Sequence, residues 1–268
     1  MLERDGYPAG VPCFVTVAEP DPQAAAAFYG GLFGWTCEER MPPGGPGSYL
    51  AARLDGRDVA GITSQRDGAA APPAWATYIA VDSADATAAT ALEAGGSVLA
   101  EPFDIFEAGR SAMLADPAGA TFFVWQAGEH KGAQVVNAPG SWNWSNLSAG
   151  DVEGAKAFYG AVFGWEPRTV SFGEEESTMW SLPGYAEALE ARDPGLRRRH
   201  AEAGAPEGFS DAVAWLVRDE DPPPRWAVTF AVDGTDAAAE RAVQLGGTVV
   251  VAPFDAGPTR VAVLADPQ

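Results

Sequence analysis

The sequence holds only two histidines, His130 and His200, and two cysteines, Cys13 and Cys37. Imidazole and thiolate are the usual ligands of transition metals and the usual parts of activated nucleophilic sites, so a chain poor in both has few ways to build either. Neither histidine has a legible Ser or Cys partner, no Gly-x-Ser-x-Gly elbow occurs, and the cysteines form no Cys-x-x-Cys pair. Glu38, Glu39 and Glu101 fall on strand-like segments without converging, which leaves a carboxylate-only Mg²⁺ or Mn²⁺ site as the remaining metal chemistry.

Aromatic rings are abundant instead. Strand alternation places Phe14 and Thr16 on one face and Cys13, Val15 and Val17 on the other. The same rule puts Tyr78 opposite Thr77 and Ile79, groups Phe123 with Trp125 and Trp144 with Asn146, and sets Thr229 beside Ala227 and Ala231. With Trp180 these nine residues, Phe14, Thr16, Tyr78, Phe123, Trp125, Trp144, Asn146, Trp180 and Thr229, are the candidate ligand-binding set. Flat ligands stack on such rings, and Thr16, Asn146 and Thr229 offer hydrogen bonds to a polar edge. Tryptophans also fill β-rich cores, so the aromatic face carries meaning only as a set.

Charge narrows the partners. Lys and Arg total 17 against 37 Asp and Glu, a formal net charge of −20, which repels phosphate backbones and anionic lipid surfaces. No run approaches the roughly 18 apolar residues of a membrane span, and the start MLERDGYPAG lacks a signal-peptide core. A cytoplasmic globular protein is expected, with a small-molecule ligand, no nucleic-acid or membrane partner, and a monomeric or homodimeric state.

The elements that hold these residues are set by a repeat. Phe28-Tyr29-Gly30 recurs as Phe158-Tyr159-Gly160, Phe33-Gly34-Trp35 as Phe163-Gly164-Trp165, and residues 75–104 are echoed by 226–255. The offsets differ, which places an insertion between the matched stretches, and 182–209 has no counterpart in the first half. The predicted domains are 1–128 and 140–268, joined by a polar linker 129–139 that carries His130.

Each half reads as two βαβββ units. Residues 11–18 suit a strand, Asp21-Pro22 opens a helix that Gly34 ends, and strands follow at 35–40, 48–54 and 58–64. A second unit starts at WATYIAVD with a helix over 84–94. The pairs Gly95-Gly96 and Gly246-Gly247 follow helices, so they read as C-caps and not as phosphate-binding loops. Asp116-Pro117 precedes the strand TFFVWQ, whereas the chain stops at Gln268 just after Asp266-Pro267, so the last unit is expected to lack one strand. The insertion is expected to be helical over 185–192 and 196–203. Its LRRRH run reads as a solvated face, and Tyr185 and Phe209 make the segment a candidate lid.

The helix AAAAFYGGLFGW, the segment EAGGSVLAEPFD and the turn-strand ADPAGATFFVW, repeated or begun again, resemble the vicinal oxygen chelate superfamily of glyoxalases, bleomycin-resistance proteins and extradiol dioxygenases. The resemblance implies an α+β fold: tandem domains whose four βαβββ modules form curved mixed sheets around two clefts. It also implies metal-ligand positions near the start of a module's first strand and in its last. Those positions fall near Phe14, Tyr78, Phe123 and Trp144, so no metal cofactor is predicted. The expected function is metal-independent binding of a small aromatic or amphipathic molecule. The alternatives are a metal-dependent lyase, isomerase or dioxygenase, or a metal-free enzyme using Tyr78.

Overall fold

The computed structural model describes residues 2–65, 73–172, 175–219, 223–257 and 259–268. A short strand β1 (Leu2–Glu3) leads into the first module: β2 (Pro12–Glu19), α1 (Pro22–Phe33), β3 (Thr36–Glu39), β4 (Tyr49–Leu54) and β5 (Arg57–Ser64). The second module repeats the order with β6 (Trp75–Ala80), α2 (Ala84–Glu93), β7 (Ser97–Ile105), β8 (Gly109–Ala115) and β9 (Thr121–Ala127). After β10 (Val135–Val136), the third comprises β11 (Trp142–Ala149), α3 (Val152–Phe163), β12 (Glu166–Phe172), β13 (Glu175–Ser181) and β14 (Ala212–Arg218). Between its last two strands lie insertion helices α4 (Tyr185–Arg192) and α5 (Leu196–Glu202) and a single 3-10 turn, Phe209–Asp211. The fourth holds β15 (Arg225–Phe230), α6 (Thr235–Gln244), β16 (Thr248–Ala256) and β17 (Thr259–Ala265). No helix among the described residues is long and apolar enough to cross a membrane.

Local chemistry sets the helix ends. The Asp21 carboxylate accepts from the Gln23 and Ala24 amides beside Pro22 at the first turn, and Asp151 accepts from Gly154 at the start of α3. Gly34 and Gly164 close α1 and α3 at φ 77° and 69°, a left-handed conformation that glycine adopts without Cβ strain.

The first half is one eight-stranded mixed sheet in the order β3-β4-β5-β2-β6-β9-β8-β7. Antiparallel pairing of β2 with β6 joins its two modules, while β2 with β5 and β6 with β9 run parallel. The second half has a five-stranded sheet, β12-β13-β14-β11-β15, and a separate β16-β17 hairpin. Where β9 lies between β6 and β8, no described strand lies between β15 and β17. Leu114 on β8 is fully buried, whereas its counterpart Leu264 on β17 is half-buried.

Apart from the β1–β10 ladder, the described strands pair within each half, but helices pair across them. Helix α1 packs on α6 and α2 on α3, so both large core clusters draw residues from both halves. The second glycine of each Gly-Gly pair makes this fit possible. A Cβ on Gly96 would stand 2.7 Å from the Phe158 ring, and one on Gly247 would stand 2.9 Å from Phe28. The indole of Trp165 donates to the Gly10 carbonyl at 2.7 Å, and Trp35 repeats the bond to Gly140 at 2.6 Å. Between the sheets, the fully buried Thr77 donates to Ser145 at 2.7 Å. With the helix-bearing faces turned toward each other, the two concave faces look outward.

Candidate functional site

In the first half, strand register lines up two adjacent rows of residues across the concave face. Thr16 pairs with Gly61 across β2 and β5, Phe14 with Tyr78 across β2 and β6, and Tyr78 with Phe123 across β6 and β9. Tyr78 and Phe123 stack with centroids 4.6 Å apart and planes 12° from parallel. Phe14 meets Tyr78 edge-on at 6.3 Å, and Trp125 meets it from the other side at 6.3 Å. The Thr16 hydroxyl donates to the Tyr78 oxygen at 3.4 Å. Five of the nine sequence-derived residues, Phe14, Thr16, Tyr78, Phe123 and Trp125, are therefore brought together.

Two neighbours were not legible in the sequence. Tyr49 from β4 lies over Gly61: a Cβ there would stand 2.9 Å from the Tyr49 ring and 3.0 Å from Thr16 Cγ2. The glycine is what lets the phenol settle on the floor. His130 is the other. It sits edge-on to Phe14 at 4.6 Å and to Trp125 at 5.9 Å, although its sequence position belongs to the linker. The linker folds back because Gly132, at φ 108°, passes so near β2 that a Cβ would stand 2.5 Å from the Cys13 carbonyl. Ala133, Val135, Val136 and Ala138 are buried in the core beyond it.

Burial controls the ionisation of this face. It lifts the Tyr78 pKa to about 12, a rise that the Thr16 hydrogen bond moderates. Burial also holds His130 below the usual imidazole value, opposed by Asp58, whose Oδ2 lies 3.9 Å from His130 Nε2. Arg53 in turn binds Asp58 at 2.7 Å. At neutral pH the face therefore presents a neutral imidazole and protonated phenols.

The implied metal positions do not fit a metal ion. Phe14 and Phe123 carry no donor atom, the Trp144 indole nitrogen has no free lone pair, and Tyr78 keeps its proton until about pH 12. Among the described residues no three His, Cys, Asp or Glu side chains converge.

The second concave face brings together Trp144, Asn146 and Thr229. The Asn146 amide donates to Thr229 at 3.1 Å, and Trp144 packs on Trp215 at 6.3 Å and on Phe209 at 5.9 Å. His200 approaches it too, 5.2 Å from Phe209 and with Nδ1 2.9 Å from the Ser210 hydroxyl. Trp180 does not join the cleft. Alternation on β13 turns Met179 toward Trp215 and sends Trp180 to the helix side, where it is fully buried 5.7 Å from Trp165 and 5.9 Å from Tyr159.

The insertion splits in role. Phe209 reaches the second face, as a lid residue would, but α4 clamps the amino-terminal segment: Tyr185 accepts from Arg4 at 3.3 Å, and Arg192 pairs with Asp5 at 2.9 Å. The basic run of α5 is met by acids of the insertion itself, Arg197 by Glu187 and Arg199 by Asp193. Two recesses lie away from both concave faces. One of about 80 Å³ is lined by Asp116, Pro117 and Asp151, and a groove of about 520 Å³ lies between α6 and β16 beside Val243, Val249 and Pro253.

Comparison with known proteins is consistent with this architecture. The Glyoxalase/Bleomycin resistance protein/Dioxygenase superfamily matches residues 14–124, and a Glyoxalase-like domain matches 144–268. CFP32 of Mycobacterium tuberculosis (strain CDC 1551 / Oshkosh), named as a glyoxylase, is 36% identical over 100% of this chain and 95% of its own. The anthracycline biosynthesis protein DnrV of Streptomyces peucetius is 34% identical over 98% of this chain and 91% of its own. Among solved structures, the Mn(II)-bound glyoxalase from Novosphingobium aromaticivorans superposes with a TM-score of 0.55 at 18% identity, covering 94% of this chain and 75% of that one. The 2,3-dioxygenase LapB from Pseudomonas sp. KL28 gives 0.58 at 13% identity, covering 94% and 86%. These two share the fold. The chain belongs to the Glyoxalase/Bleomycin resistance protein/Dioxygenase superfamily, with two of its domains in tandem.

Proposed function

We propose that the concave face of the first half binds a flat aromatic or amphipathic small molecule without a metal ion. The observation that carries this reading is the stacked Tyr78–Phe123 pair, flanked by Phe14, at positions where the superfamily's metal ligands are implied. A planar ligand adding one more ring to that stack gains about 0.5–1.5 kcal/mol beyond its buried area. The Streptomyces peucetius relative is named for the biosynthesis of anthracyclines, which are planar polycyclic aromatics. A net charge of −20 favours a neutral small molecule over nucleic acid or an anionic membrane.

Titrating the full chain with naphthol and naphthalene, read by quenching of intrinsic tryptophan fluorescence, tests the proposal. Saturable binding that survives EDTA supports it. Failure of both aromatics to bind sinks it, and recovery of the ligand unchanged after incubation separates sequestration or sensing from turnover.

A further inference from the structure

Resting on that reading, we infer that His130 is the side chain that engages the ligand's polar edge, and that the ligand is a neutral aromatic bearing a ring hydroxyl. The positioning is firm even though the residue lies between the domains. The His130 amide donates to the Ala108 carbonyl at 3.1 Å, and its own carbonyl accepts from the Trp125 indole at 2.9 Å. On the far side, the Gln134 amide donates to the Asp58 carbonyl at 2.7 Å, the Gln134 side chain accepts from the Asp58 amide at 2.9 Å, and the Ala133 amide donates to Cys13 at 2.8 Å. The backbone that carries the ring is thus held from the β7–β8 turn, β9, β5 and β2 together.

The imidazole stands at the rim of the aromatic floor, 4.6 Å from Phe14, with about 23% of its side chain exposed. At 3.9 Å, Asp58 is too far to take up Nε2 as a hydrogen bond, so the ring keeps hydrogen-bonding capacity for a ligand beside it at the rim. Chemistry then selects the ligand class. A neutral imidazole accepts from a phenolic hydroxyl or donates to its oxygen, whereas a carboxylate beside it would meet the Asp58 charge, whose Arg53 partner is shared with Glu38. Tyr78 accepts from Thr16 at 3.4 Å and keeps its own proton to donate, and His130, at the rim, adds a nitrogen that can accept from a ring hydroxyl.

The test compares naphthol, naphthalene and naphthoate on the full chain and on the variants His130→Phe and His130→Gln, with thermal unfolding confirming that each variant is folded. The wild type is expected to bind naphthol about tenfold tighter than naphthalene, and naphthoate more weakly than naphthol. His130→Phe should erase the preference for naphthol over naphthalene while leaving naphthalene affinity within about twofold, and His130→Gln should keep most of it. A loss of packing alone would weaken both aromatics equally and leave their ratio intact. An unchanged naphthol-to-naphthalene ratio in His130→Phe overturns the assignment. Absence of binding by either in the wild type overturns the cleft reading beneath it.

Discussion

Tyr159 of the second half donates to Asp116 of the first at 3.1 Å, and Tyr29 of the first half donates to Asp266 of the second at 2.5 Å. Each phenol oxygen also accepts from an indole of its own half, Trp226 at 2.9 Å and Trp75 at 3.1 Å. The repeated Phe-Tyr-Gly motif is therefore a cross-half fastener.

Replacing Tyr159 by Phe strips the buried Trp226 indole of its acceptor and Asp116 of a donor. The expected cost is about 1–3 kcal/mol in denaturant unfolding. Tyr29→Phe should cost less, because Asp266 is partly open to water whereas Asp116 is buried. Equal, negligible losses at both positions would remove the fastener role.

Much of this frame was readable from sequence. The repeated motifs located four modules, the Asp-Pro and Gly signals marked helix ends, and alternation placed Phe14, Tyr78 and Phe123 on one face. Other features depended on which distant element fills the facing space. Trp180 reads like its cleft-lining neighbours until α3 supplies Tyr159 and the turn before β12 supplies Trp165 on the opposite side. His130 sits in a polar segment with no periodicity, and only the close passage of Gly132 over β2 brings it to Phe14. The Gly-Gly pairs were legible as caps but not as receptors for Phe28 and Phe158, since the partner lies in the other half.

Glu19, at the end of β2, is fully buried, and neither carboxyl oxygen has a hydrogen-bond partner. Burial first and the neighbouring Asp266 second push its pKa from 4.5 up to about 8. The folded chain thus holds a proton that the unfolded chain releases, so between these values stability falls as pH rises. Glu19→Gln should raise the melting temperature at pH 9 by several degrees more than at pH 5. An equal shift at both pH values would show that Glu19 does not titrate in this range.

Phe123→Ala removes half of the stacked pair while leaving Tyr78 in place. Naphthol affinity should fall about tenfold, equivalent to roughly 1.4 kcal/mol. Trp144→Ala, on the opposite concave face, serves as the control: an equal loss there would move the binding site to the second half.

Gly61→Ala probes the floor from below. Its new Cβ must displace the Tyr49 ring or Thr16. A loss of about 1–3 kcal/mol in stability is expected, together with weakened naphthol binding. An unchanged affinity would show that Tyr49 does not shape the ligand-binding surface.

The most direct measurement is metal analysis of the purified full chain combined with naphthol titration before and after dialysis against EDTA. Metal-independent binding predicts no stoichiometric Fe, Zn, Ni or Mn and a dissociation constant unchanged within about twofold. About one metal ion per chain, with naphthol binding lost on its removal and restored on its return, would contradict it.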